Sequence, residues 1–208
     1  MKNILIHGLG QNSKDWDIIK NELETRGISS VAPDLFDLAK GRKLDYPTVY
    51  QAFSELCESY QDKLNLCGLS LGGLLALNYA IQYPKKINSL VLIGTPFEIP
   101  KGLLKFQNIV FRFMPKAVFQ NMGVSKKNFI RLSKSMVDLN FMDSATALDC
   151  PALILCGAKD KTNMESAKRF HEAMKNSKLV IVEASGHEVN KDNPNELVRV
   201  LQDFWADR

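Results

Sequence analysis

Residues 68–72 read Gly-Leu-Ser-Leu-Gly, between an apolar run at 63–67 and a longer apolar stretch at 71–83. A strand that passes directly into a helix needs a very tight turn, and glycine is required there wherever a β-carbon would clash. The pattern therefore predicts a strand–turn–helix unit with Ser70 at its apex. Such a turn holds the serine hydroxyl above the carboxyl ends of the strands, which makes Ser70 a candidate nucleophile.

The rest of the chain alternates short apolar runs with amphipathic segments, which is typical of a mainly parallel sheet with helices on both faces. Six strands are predicted, at Lys2–His7, Ile28–Ala32, Lys63–Cys67, Ser89–Ile93, Ala152–Cys156 and Lys178–Val182. Helices are predicted at Asn12–Arg26, Pro47–Asp62, Leu71–Tyr83, Glu165–Lys175 and from Pro194 onward. The expected fold class is α/β, with three layers.

One connection, residues 97–147, is about 50 residues long and has no predicted strand; such long connections are usually functional inserts. It holds seven of the 11 Phe and four of the seven Met. We expect a small helical cap over the site, broken near Pro115 and Gly123, with residues 1–96 and 148–208 forming one α/β core. The candidate substrate-pocket residues in the cap are Phe97, Phe106, Phe111, Met114 and Phe119.

The cap segment is also basic, with eight Lys or Arg residues against three Asp or Glu residues. One interpretation is that these charges lie on the solvated outer faces of amphipathic helices. The other is that a basic lid favours anionic substrates. The sequence leaves both open.

Composition excludes several classes of protein. The 208 residues are enough to bury a core without disulfides or metals, and the net charge of +4 is dispersed, with no run of five basic residues that would indicate nucleic-acid binding. The four cysteines have no metal-ligand spacing, which predicts buried thiols in a reducing compartment. We expect a cytoplasmic protein, since a strand follows the first residue and no stretch approaches the ~20 apolar residues of a membrane span.

Acyl transfer needs a nucleophile, a base that takes its proton and an acid that orients the base. Ser70, Asp160 and His187 each lie within five residues after the end of a predicted strand. Because the carboxyl ends of parallel strands share one edge of the sheet, we expect these three side chains to meet there. Of the other two histidines, His171 is predicted to be a surface or packing residue and His7 a structural one.

With these motifs the chain resembles the α/β-hydrolase superfamily over essentially its whole length. Besides the Ser70 turn, it has His7-Gly8 after the first strand, Pro33-Asp34 after the second and Gly186-His187 at the histidine loop. The resemblance implies a six-stranded sheet in the order 2-1-3-4-5-6, because the usual first two strands of the superfamily are absent here. It leaves the strand at 28–32 at an edge.

The resemblance also implies roles that the residue pattern does not give. The oxyanion hole would be formed by the backbone N–H groups of Leu9 and Leu71, and the insert would be a lid. Some relatives take their acid from beyond the fourth strand, so Glu98 is an alternative to Asp160. Asp34 is expected to anchor its loop through nearby amides.

The sequence thus predicts a serine hydrolase of small to medium hydrophobic acyl or aryl carboxylic esters, with no metal or organic cofactor. Its partner would be a small-molecule ester, without nucleic acid, and its oligomeric state is not determined. Thioesters, methyl esters and carbon–carbon bonds beside a carbonyl stay open as substrates. The alternative that is not an enzyme is a ligand-binding protein of the same fold that has no catalytic activity.

Overall fold

The computed structural model describes residues 1–96, 111 and 113–206. The strands are β1 to β6, in chain order Lys2–Ile6, Ser30–Val31, Leu64–Leu69, Ile87–Ile93, Ala152–Gly157 and Ser177–Val182. The described helices are α1 to α10, in chain order Asp17–Thr25, Leu35–Leu38, Tyr46–Ser59, Leu71–Gln82, Lys116–Asn121, Lys126–Ser135, Met142–Ala145, Lys161–Ala173, Val189–Asp192 and Pro194–Ala206. Two short 3₁₀ helices lie at Ser13–Trp16 and Pro84–Lys86.

The six strands form one parallel sheet in the order β2-β1-β3-β4-β5-β6, as predicted. Their registers align the carboxyl ends of the central strands, since Leu69 at the end of β3 pairs with Ile93 of β4, and Ile93 pairs with Leu155 of β5. Gly157, the last residue of β5, pairs with Val182 of β6. Residues that follow these strands therefore lie along one edge of the sheet.

Two apolar clusters cover the two faces of the sheet, and alternate residues of each strand point to opposite clusters. In β1, Ile4 and Ile6 belong to the cluster under α3, α4 and α8, whereas Leu5 belongs to the cluster under α1 and α10. Ile4, Leu5 and Ile6 are all fully buried. This arrangement is the three-layer α/β/α architecture that the sequence predicts.

The second strand is shorter than predicted, with two residues in place of the five at 28–32. Ile28 is unavailable for pairing because its N–H donates to the Leu23 carbonyl at the end of α1, at 2.9 Å. Pro33 has no N–H to donate. The edge strand β2 is thus short, which limits the unpaired backbone that another strand could bind.

The first helix also differs from the prediction at its start, since a 3₁₀ turn at Ser13–Trp16 precedes α1. Asn12 and Asp15 form a reciprocal capping box at its beginning. Gly27 follows α1 at a φ of +76°, a conformation that glycine adopts without steric strain.

The described part of the insert is helical, with α5, α6 and α7 between β4 and β5. α5 begins after Pro115 and ends before Gly123, which has a φ of +74°, so the predicted breaks are confirmed. The buried residues of the described insert, among them Phe119 of α5 and Leu132 of α6, belong to the apolar cluster that covers the α3–α4 face of the sheet. The backbone N–H of Tyr46 donates to Ser135 Oγ at 2.7 Å and ties α3 to α6.

No helix in the described ranges combines the length and the apolar character needed to cross a membrane.

Candidate active site

The turn between β3 and α4 holds Ser70 in a backbone conformation that L-residues rarely adopt, with φ 52° and ψ −110°. Its N–H donates to the Ile93 carbonyl at 2.9 Å, and its carbonyl accepts the first hydrogen bond of α4, from Leu74, at 3.0 Å. A β-carbon at Gly68 would overlap the backbone of Gly72, and one at Gly72 would overlap the Ile6 carbonyl. Both glycines are therefore required by the close packing of the turn, as the sequence predicts.

The turn after β1 approaches Ser70 from the neighbouring strand. An added β-carbon at Gly8 would lie 2.9 Å from Leu69 Cδ2 and 3.7 Å from Ser70 Cβ. Leu9, the next residue, is half-buried. The turn that contains Leu9 is therefore packed against the serine.

His7 holds this turn in place from inside the core. Its Nε2 accepts from the Leu35 N–H at 3.0 Å, so the ring proton is on Nδ1, which donates to the Gly8 carbonyl at 2.9 Å. Burial lowers the pKa of His7, although the Gly8 carbonyl and Asp34 act in the opposite direction. The ring is fully buried and neutral, which agrees with the structural role predicted for it.

Asp34 anchors the following loop, as predicted, by accepting from the N–H groups of Phe36 at 2.9 Å and Asp37 at 3.1 Å. The third histidine, His171, lies in α8 on the surface and contacts Ser177 Oγ at 2.9 Å. Ser177 is the first residue of β6, so His171 lies at the amino ends of the strands, away from Ser70.

Asp160 and His187 are in direct contact at the carboxyl ends of β5 and β6. His187 Nδ1 lies 2.8 Å from Asp160 Oδ2. The carboxylate side chain is 5% exposed and the imidazole 41% exposed, so a buried acid contacts a base that reaches solvent. A carboxylate only accepts, so the proton is on Nδ1 and Nε2 is the basic nitrogen of the neutral ring.

Asn163 is a third member of this pair. Its Nδ2 donates to Asp160 Oδ1 and Oδ2 at 3.0 and 2.9 Å, and it lies 3.2 Å from His187 Nδ1. The Asn163 N–H also donates to Asp160 Oδ1, because Asp160 is the N-cap of α8. Burial acts to raise the pKa of Asp160, but the hydrogen bonds from His187 and Asn163 outweigh it and hold that pKa below its usual value.

The end of β4 connects the pair to the serine. Gly94 has a φ of +51°, and an added β-carbon there would lie 3.0 Å from His187 Nδ1 and 3.2 Å from Asp160 Oδ2. The preceding residue, Ile93, accepts the Ser70 N–H. Ser70 and the Asp160–His187 pair are thus packed against two consecutive backbone residues. Among the described residues, His187 makes no hydrogen bond with Ser70, and in unliganded enzymes such bonds are often long.

The N–H groups of Leu9 and Leu71 stay candidate oxyanion donors. Leu71 is the first residue of α4, and the first N–H groups of a helix have no acceptor within it. A helix amino terminus also favours negative charge. Leu9 is in the turn that packs on Ser70.

A thiol is a poor rival nucleophile here. Cys156, on β5, lies within 3.7 Å of the Asp160 carbonyl, and burial together with the nearby Asp160 charge raises its pKa to about 11. It is therefore protonated at neutral pH, and thiolate is the reactive form. Of the four free cysteines, Cys57, Cys67 and Cys156 are buried as predicted, whereas Cys150 is only partly buried.

Three of the residues considered in the cap, Phe97, Glu98 and Phe106, lie outside the described residues. Phe119 is fully buried and packs on Phe129 with ring centroids 5.0 Å apart. Phe111 also contacts Phe129 at 5.0 Å, edge to face, and Met114 is half-buried against the same cluster. These side chains pack together in the described part of the insert.

The sequence analysis missed Asn163 and Gly94. The helix predicted at Glu165–Lys175 begins earlier, at Lys161, with Asp160 as its N-cap. Had that start been predicted, Asn163 could have been found, because an N-cap carboxylate meets the third residue of its helix. Gly94 gave no comparable signal, because its neighbours come from strands that are distant in the sequence.

Comparisons with known proteins agree with this fold. The sequence matches the family model of the α/β hydrolase fold over residues 4–121. Lipase 3 of Moraxella sp. is 26% identical, over 93% of this chain and 75% of the relative. A putative 2-succinyl-6-hydroxy-2,4-cyclohexadiene-1-carboxylate synthase of Bacillus subtilis is 24% identical, over 76% of this chain and 73% of the relative.

Among solved structures, a carboxylesterase of the thaumarchaeon Nitrososphaera gargenis superposes with a TM-score of 0.86. The superposition covers 99% of this chain and 90% of that one, at 19% sequence identity. At that identity the likeness concerns the fold.

Proposed function

The chain belongs to the α/β-hydrolase fold family, and from this premise we propose that it is a serine hydrolase of carboxylic esters. Ser70 is the nucleophile, His187 the general base and Asp160 the acid that orients it. The substrates are esters with small to medium hydrophobic acyl or aryl groups. The similarity to a lipase supports hydrolysis of carboxylic esters.

The observation that supports this proposal best is the 2.8 Å contact between Asp160 and His187 at the strand edge where Ser70 is found. A buried carboxylate with a lowered pKa stays ionised at neutral pH, so it fixes the imidazole tautomer and favours the imidazolium that forms during attack. Asn163 helps to keep Asp160 ionised by donating hydrogen bonds to both carboxylate oxygens.

In the proposed reaction, Ser70 Oγ attacks the ester carbonyl carbon while its proton passes to His187 Nε2. The N–H groups of Leu9 and Leu71 donate to the oxyanion. The tetrahedral intermediate expels the alcohol, which takes the proton from His187, and leaves an acyl group on Ser70. Water, deprotonated by the same imidazole, then releases the carboxylic acid.

The test is labelling with a fluorophosphonate probe and hydrolysis of p-nitrophenyl esters of increasing chain length. Ser70→Ala is expected to abolish labelling and to lower kcat by about 10⁴–10⁶-fold with the fold intact. Ser133→Ala is the matched control, because Ser133 is a buried serine on α6 whose hydroxyl has no hydrogen-bond partner within the described residues. Activity that survives Ser70→Ala would remove Ser70 from the mechanism. A folded wild type that neither labels nor turns over would favour the non-catalytic binding protein.

A second candidate substrate class is supported by the similarity to the putative synthase of B. subtilis. The same triad could act on a carbon–carbon bond beside a carbonyl, and thioesters and methyl esters need no other catalytic group. A panel of ester, thioester and β-diketone substrates separates these classes by their kcat/KM values. The class with the highest kcat/KM identifies the bond that the site is built to cleave.

A further inference from the structure

A buried amide pair joins the turn after β1 to the loop that holds His187. Gln11 Nε2 donates to Asn190 Oδ1 at 3.1 Å, and Asn190 Nδ2 donates back to Gln11 Oε1 at 3.2 Å. Both side chains are 1% exposed. The two residues are 179 positions apart in the chain, so this contact exists only in the folded protein.

The two amide nitrogens of the pair each make a second hydrogen bond. Gln11 Nε2 makes a second hydrogen bond to Glu188 Oε1 at 3.0 Å, and Asn190 Nδ2 makes a second one to the Asp15 carbonyl at 3.1 Å. Lys191 bridges Asp15 at 2.9 Å and Glu188 at 3.5 Å. A buried network in which the amide groups are all satisfied is rigid, because any displacement leaves a polar atom without a partner.

The network connects to the candidate oxyanion donor on one side and to the candidate base on the other. Gln11 closes the turn that contains Leu9, since its N–H donates to the Gly8 carbonyl at 3.2 Å. Glu188 directly follows His187, and Asn190 lies in the short helix α9 that begins at Val189. The amide pair therefore spans the two loops from which the oxyanion donor and the imidazole approach the substrate.

We propose that the Gln11–Asn190 pair is a positioning element that sets the separation between the Leu9 N–H and the His187 imidazole. This inference rests on the proposed serine-hydrolase function. The proton transfer and the oxyanion bond both form in the transition state, so an altered separation acts on kcat and leaves KM nearly unchanged. A misplacement of about 1 Å costs roughly 10²-fold in rate, and a change of one methylene length is of that order.

The pair offers an exchange experiment, because Gln and Asn differ by one methylene group. Gln11→Asn shortens the connection and Asn190→Gln lengthens it, while both single variants keep a buried amide. The double exchange restores the total number of methylene groups. We expect each single variant to lower kcat for a p-nitrophenyl ester by about 10–100-fold with little change in KM, and the double variant to recover to within about threefold of wild type.

A trifluoromethyl ketone gives a readout that a loss of stability does not change. Ser70 Oγ adds to its carbonyl carbon, the proton passes to His187, and the resulting oxyanion occupies the oxyanion hole. Its inhibition constant should rise in each single variant by about the same factor as kcat/KM falls, and should recover in the double variant.

Asn65→Ala is the matched control. Asn65 is a buried amide, 4% exposed, near the start of the central strand β3, at the amino ends of the strands and away from Ser70, where it bonds Asn3, Asn88 and Ser89. Its loss should lower the free energy of unfolding and leave kcat and the ketone inhibition constant unchanged.

The inference is overturned if the single variants keep wild-type kcat, if the double exchange does not recover it, or if Asn65→Ala lowers kcat equally. These results differ from a failure of the proposed function, in which the wild-type protein itself would show no esterase activity and no fluorophosphonate labelling.

Discussion

Gly94 offers the sharpest test of the Asp160–His187 pair, because a single methyl group can be added there in contact with both residues. In Gly94→Ala the new β-carbon would lie 3.0 Å from His187 Nδ1 and 3.2 Å from Asp160 Oδ2. Ordinary contacts of carbon are about 3.5 Å or more. The imidazole and the carboxylate must therefore each move by a few tenths of an ångström, up to about 0.5 Å.

Two effects follow, and the structure separates them. The φ of +51° at Gly94 costs an L-residue roughly 1–2 kcal/mol of stability. The displacement of the imidazole should slow the proton transfer from Ser70. Because a misplacement of about 1 Å lowers the rate about 10²-fold, one of about 0.5 Å should lower kcat roughly tenfold. That loss corresponds to about 1.4 kcal/mol of transition-state stabilisation.

Gly27→Ala is the matched control for the backbone effect. Gly27 has a φ of +76°, and an added β-carbon there would meet nothing within 4 Å. The assay is ester hydrolysis, with kcat and KM measured for both variants, together with urea unfolding. Both variants should lose similar stability, but only Gly94→Ala should lose kcat. Equal kcat in the two variants would refute the role given to the Asp160–His187 geometry.

Two further predictions concern pH. Asn163 stabilises the ionised form of Asp160, so Asn163→Ala should lower the free energy of unfolding by roughly 1–2 kcal/mol at pH 7. The difference from wild type should shrink as pH falls through the lowered pKa of Asp160. A difference that urea titrations show to be independent of pH would contradict this. Burial lowers the pKa of His7, so the imidazole binds a proton in the unfolded chain at a pH where it does not in the native protein. The free energy of unfolding should therefore fall as pH drops below about 6.5. His7→Gln keeps an acceptor for the Leu35 N–H and cannot titrate, so its unfolding free energy should depend less on pH between 7 and 5 than that of wild type.

Local pattern was enough to predict most of the core. The apolar run at 152–156 and the two glycines around Ser70 reflect structural requirements that act within a few residues. The sheet order was predicted from the family resemblance that such motifs indicate. Prediction was less accurate where backbone groups are used by neighbours, as at Ile28, whose N–H bonds to α1 and shortens β2. A hydrogen bond of that kind has no counterpart in hydrophobic periodicity.

The sequence by itself identified Ser70, Asp160 and His187 as candidates, because each follows a strand and the ends of parallel strands lie together. Only the tertiary structure revealed the contacts around them: Asn163 on the carboxylate, Gly94 beside the imidazole, and the amide pair between residues 11 and 190 that joins the turn after β1 to the His187 loop. The physical reason is that catalytic residue types are marked by their chemistry. A supporting residue is an ordinary glycine or amide until folding brings it within hydrogen-bonding or van der Waals distance of residues far away in the chain.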